Sequence, residues 1–99
     1  MEKQLVQFNF QGMTAHQYEQ VMDELQNTGH SEIQGRIHHV SVVKDDGIQV
    51  VGVWESAEDF NNFTKIVMPI FSKFGITPVQ PTVTPVYYEY SGIEANVNP

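Results

Sequence analysis

Cysteine is absent from this sequence, which excludes a disulfide framework, thiolate metal ligation and a thiol nucleophile. Basic residues are scarce: five Lys and Arg stand against twelve Asp and Glu, a net charge of −7. Nucleic acid and anionic membrane are therefore set aside as partners, because phosphate binding needs clustered cations. No apolar run reaches the roughly 18 residues that a membrane-spanning helix requires, and the N-terminus lacks an apolar leader core. A soluble, cytoplasmic protein is expected. No H-x-x-x-H spacing or ligand-spaced acidic cluster occurs, so no metal site is expected. Internal repeats and low-complexity segments are also missing. A chain of 99 residues then has room for one domain, expected over 1–90, with a polar, aperiodic tail over 91–99.

What the chain does contain is organised around residues 48–63, IQVVGVWESAEDFNNF. The run from Ile48 to Trp54 is apolar and β-branched, as suits a strand covered on both faces. Ser56 with Asp59 three residues on has the spacing of a capping box, and Glu58 and Asp59 favour a helix start through the dipole. Phe60, Phe63, Val67, Ile70, Phe71 and Phe74 continue at helical spacing. Pro69 removes one main-chain donor inside that pattern and is expected to kink or split the helix.

Upstream, residues 4–10 alternate, with Val6, Phe8 and Phe10 on one side and Leu5, Gln7 and Asn9 on the other. Thr14 and Gln17 form a second capping box. Tyr18, Val21, Met22 and Leu25 follow as one stripe of an amphipathic helix that Gly29 closes. Residues 36–43 read as a strand joined to the central one by a hairpin, with Asp46-Gly47 as its two-residue turn. That register sets Val43 opposite Val50, Ser41 opposite Gly52 and His39 opposite Trp54; a four-residue turn would shift partners by two but keep the faces. One face then carries His39, Ser41, Val43, Val50 and Trp54. The other carries His38, Val40, Val42, Val51, Val53 and Glu55. Residues 82–90 make a last strand, which Pro81 and Pro85 assign to an edge or bulge.

The order β-α-β-β-α-β is the ferredoxin-like split unit: an α+β fold with a four-stranded antiparallel sheet and two helices on one face. Its second face is apolar here, and apolar area of that kind marks an interface. A homodimer is expected, its two sheets face to face through Val40, Val42, Val51 and Val53, with His38 and Glu55 pairing at the contact.

The strand end Val53-Trp54-Glu55-Ser56, followed by Phe60 and Phe63, resembles the dimeric α/β-barrel superfamily, which includes the antibiotic-biosynthesis monooxygenases and the haem-degrading monooxygenases. The likeness spans residues 4–90. Together with the Met13-Thr14 helix start and His39-Val40, it is greatest to small bacterial members of that group. It implies a barrel shared by two chains and a pocket between each sheet and its own helices. Asn9 corresponds to the first-strand Asn of the haem-degrading members, but Phe63 stands where their Trp lies and the second helix has no histidine.

His39 reads in two ways: as a pocket base or ligand-binding group, or as a histidine held by structural hydrogen bonds. Asn9, Tyr18, Met22, Trp54, Phe63 and Val67 are the expected pocket residues, and a small apolar or aromatic molecule the expected ligand. His16 and His30 read as solvated. Two functions follow: a cofactor-independent monooxygenase-like enzyme acting on an aromatic or polyketide-like molecule, or a non-catalytic dimeric module binding a small ligand or a protein.

Overall fold

The computed structural model describes residues 2–90; the expected tail, 91–99, lies outside them. Strand β1 (Gln4–Gln11) leads to helix α1 (Ala15–Asn27). A hairpin of β2 (Arg36–Lys44) and β3 (Gly47–Trp54) follows, then helix α2 (Ala57–Lys73) and strand β4 (Thr82–Pro85). The strands form one antiparallel sheet in the order β2-β3-β1-β4. β3 and β1 are thus the interior strands, and β2 and β4 the edges.

Local chemistry explains each boundary. At α1 the Thr14 hydroxyl accepts from the Gln17 amide at 3.1 Å, and the Gln17 side chain accepts from the Thr14 amide at 3.0 Å, a complete capping box. At α2 the Ser56 hydroxyl accepts from the Asp59 amide, but the Asp59 carboxylate accepts from that same hydroxyl, at 3.1 Å. Asp is one methylene shorter than Glu, so this box closes on the side chain instead of the backbone. The end of α1 is a Schellman motif: His30 N–H donates to Leu25 and Gly29 N–H to Gln26, with Gly29 at φ +88°. Ile76 and Gly75 repeat both bonds after α2. Pro69 does not split α2, which runs unbroken from Ala57 to Lys73. It lies on the exposed side of the helix, where the Lys65 carbonyl can turn to water.

Both helices cover one face of the sheet. Val21 and Leu25 of α1 and Val67, Ile70 and Phe71 of α2 pack with Phe10, Ile48 and Val50 in one buried cluster. Val6, Trp54 and Phe60 make a second at the far end of the sheet. The hairpin takes the alternative register, shifted by two residues: Lys44 pairs with Gly47, Val43 with Ile48, Ser41 with Val50 and His39 with Gly52. The turn residues are Asp45 and Asp46, because Gly47 belongs to β3. It sits at φ +155° against β1, where an added Cβ would collide with the Phe10 carbonyl oxygen. A two-residue shift keeps every side chain on its expected face.

β4 is shorter than expected, ending at Pro85 instead of Tyr90. Its partner β1 begins at Gln4, so after Val86 N–H donates to the Lys3 carbonyl at 2.9 Å no strand remains to pair with. The chain then turns over the outer face of the sheet. Glu89 anchors it there, accepting from Lys3 Nζ at 2.7 Å and lying 2.9 Å from His38 Nε2. His38 and Glu55 were expected to pair across the contact between two copies; within the single chain the partner of His38 is Glu89. On this outer face Leu5, Val40 and Val42 are exposed, Val40 to 58%, and Val51 and Val53 half-exposed. The central strand is therefore covered on one side only in the single chain, not on both.

Candidate functional site

Between the helices and the inner face of the sheet lies a cavity of about 340 Å³. That size falls in the range of small-molecule pockets. β1 supplies Phe8 and Phe10, α1 supplies Tyr18, Val21 and Met22, and α2 supplies Phe63, Val67, Met68 and Phe71. The α2–β4 connection closes another side with Pro78, Val79, Gln80 and Pro81. The walls are apolar because these positions face inward at periods of two and 3.6. They are also aromatic: Phe8 stacks on Phe10 at 5.1 Å, and Phe10 meets Phe71 edge-on at 5.5 Å.

Polar groups gather at the wall formed by β2 and the first turn of α1. The Tyr18 hydroxyl lies 2.8 Å from His39 Nε2 and also hydrogen-bonds the Ser41 hydroxyl. Ser41 Oγ stands 3.4 Å from the same ring nitrogen. The Tyr18 and His39 rings lie nearly parallel, at an angle of 13° and a separation of 6.5 Å. His39 sits at the rim, with part of its ring open to solvent. Desolvation of the rest, with the Arg36 guanidinium nearby, lowers the imidazole from its ordinary value. His39 is accordingly a neutral hydrogen-bonding group near pH 7, able to accept a proton.

Arg36 is the polar residue that periodicity missed. Counted by twos from His38 it belongs to the outer face, yet it lines the inner cavity with His39. The cause is a bulge: Arg36 pairs with Trp54 and His38 with Val53, so the pairing shifts between them. A bulge turns the side chains before it to the opposite face. Nothing in the residues 36–39 announces one. Burial lowers the Arg36 pKa, partly offset by Tyr18, and the guanidinium remains charged. Thr64 and Gln80 were also not anticipated; Gln80 follows from no periodic pattern.

Tyr18, Met22, Phe63 and Val67 line the cavity, as does His39. Asn9 does not. It is exposed on the opposite side of β1, since it alternates with Phe8 and Phe10. Trp54 is buried to 4% exposure but outside the cavity, packed on Phe60 at 5.5 Å and Phe63 at 5.3 Å. The end of β3 lies under the first turn of α2, whereas the cavity opens under its middle. An added Cβ at Gly52 would stand 3.3 Å from the indole nitrogen, so the missing side chain there makes room for the ring. His38 faces away from the cavity with Val40 and Val53, over a shallow outer groove that Tyr87, Tyr88 and Tyr90 border. Among the described residues no group of three or more His, Asp or Glu is placed to hold a metal ion. No helix among them is long and apolar enough to cross a membrane.

No protein-family model matches this sequence, and no curated protein matches it. Solved structures similar in shape include these two. A conserved protein from Methanosarcina mazei Go1 superposes with a TM-score of 0.52 at 9% identity, over 90% of this chain and 95% of that one. A monooxygenase from the gene ActVA-Orf6 of Streptomyces coelicolor, in complex with the ligand Nanaomycin D, gives a TM-score of 0.47 at 17% identity, over 90% and 88%. At such identities the likeness is one of fold. Element order, strand order and the first of these likenesses agree: the chain has the ferredoxin-like fold.

Proposed function

We propose that the sheet–helix cavity takes a small aromatic or polyketide-like molecule and that the protein acts on it as a cofactor-independent monooxygenase-like enzyme, as a cytoplasmic homodimer. The observation that carries the reading is the Tyr18–His39 hydrogen bond at the wall of an otherwise apolar cavity. With the ring proton on Nδ1, Tyr18 donates to Nε2 and Ser41 donates to Tyr18. A substrate hydroxyl donating to the Tyr18 oxygen then has a path for its proton through the phenol to the imidazole. Its loss leaves an electron-rich phenolate that molecular oxygen can oxidise. His39 is in this reading the general base, a role worth on the order of a hundredfold or more in rate. The resemblance at VWES supports the fold and the dimer on which this reading rests.

A second reading, a dimeric module that binds without reacting, is favoured by the partly open His39 ring, since proton abstraction gains from excluding water. Oxygen uptake with a hydroxyanthrone separates the two. The enzyme reading expects uptake above the uncatalysed rate, reduced about a hundredfold in His39→Ala with little change in Tm. Binding without uptake gives the module. A lower Tm with unchanged ligand affinity makes His39 structural.

A further inference from the structure

Among the described residues Arg36 carries the one charge that lines the cavity, and the proposed function gives it no task. Among the described residues the ion pairs are Lys3–Glu89, His38–Glu89 and Lys73–Glu24, and Arg36 takes part in none. Acidic partners were plentiful: the chain has twelve Asp and Glu against five Lys and Arg. A half-buried guanidinium gives up hydration and normally recovers it from a carboxylate. Tyr18 and His39 are the titratable groups coupled to it, and no carboxylate is among them. The β2 bulge brings it there, since an unbroken strand would turn this side chain outward.

We infer that the cavity binds an aromatic carboxylate, its ring among Phe8, Met22 and Phe71 and its carboxylate on the Arg36 guanidinium beside the Tyr18 hydroxyl. This rests on the cavity being a ligand site, and it adds the charge of the ligand. The planar fork of Arg matches a carboxylate in two parallel bonds, which a neutral carbonyl cannot reproduce. The net charge of −7 opposes long-range attraction, but exposed charges are screened within about 8 Å at physiological salt. Arg36, inside the cavity, is screened less.

Two ligands of nearly equal shape test it: 2-naphthoate, ionised at neutral pH, and the neutral ketone 2-acetylnaphthalene, titrated calorimetrically into the wild-type protein. The inference expects naphthoate to bind at least about tenfold more tightly, the worth of a charge-assisted pair. In Arg36→Met that preference disappears while the ketone's affinity changes less than about twofold, and Arg36→Lys restores part of it. Equal or tighter binding of the ketone to wild type overturns the inference and leaves the cavity reading standing. A naphthoate preference that survives Arg36→Met overturns the role of Arg36. If neither compound binds, the cavity reading falls and the inference with it. The wild-type comparison needs no variant, so a misfolded Arg36→Met leaves the test intact.

Discussion

At the scale of single residues, a few positions do work that their neighbours cannot. Ser56 is buried at 4% exposure and caps α2 through the Asp59 amide. Ser56→Ala should cost about 1 kcal/mol, seen as a lower urea midpoint at unchanged slope. Gly47 lies where a side chain would strike the Phe10 carbonyl, so Gly47→Ala should destabilise by more than about 1 kcal/mol in the same assay. His39 gives a pH prediction whose sign follows from its lowered pKa. As pH falls from the ordinary histidine value toward the lowered one, the unfolded chain takes up the proton first, and stability falls. Above the ordinary value the residue contributes no pH dependence. His39 faces Tyr18, Ser41 and Arg36, of which only Arg36 is charged in this range. Between about pH 7.5 and about pH 5, His39→Gln should therefore lose less stability than wild type. An identical loss in both proteins sets the effect on other groups.

At the scale of elements, the helices were legible because each combines a stripe with a cap: Thr14 and Gln17 before Tyr18, Ser56 and Asp59 before Phe60. The inner strands were legible from alternation, and even a two-residue shift in the hairpin left His39 and Val50 on the inner face. Three features were not. The length of β4 depends on where β1 begins, a tertiary fact absent from residues 82–90. The bulge that turns Arg36 inward is a property of β2 and β3 together. The place of Trp54 outside the cavity depends on which turn of α2 lies above it. The segment 86–90, folded over the outer face, hangs on Glu89. The Lys3 hydrogen bond, aided by His38, lowers the Glu89 pKa. That contribution is present above the ordinary carboxylate value and is lost as pH falls through the lowered one. Glu89→Gln should speed amide exchange at Val86 near neutral pH while leaving Tm almost unchanged, because exposed pairs are weak. Unchanged exchange would mean that the backbone bond to Lys3 suffices alone.

At the scale of the whole molecule, the two faces of the sheet differ in what covers them. The inner face has its own helices and a cavity; the outer face leaves Leu5, Val40 and Val42 exposed in the single chain. A second copy packed there is the proposed cover, in line with the barrel resemblance. Light scattering at micromolar concentration should then give about twice the 11.3 kDa of the chain, and Val51→Glu should return it to one chain. A wild-type monomer contradicts the dimer without touching the cavity, which the single chain forms by itself.

The central claim is that the space between sheet and helices receives a ligand. The most direct measurement is a methyl NMR titration with 2-acetylnaphthalene, reading Met22, Val67 and Met68 beside the cavity against Val40, Val42 and Val53 outside it. The account predicts saturating shifts at the first set and none at the second. Shifts confined to the outer valines, or none at saturating ligand, would contradict it.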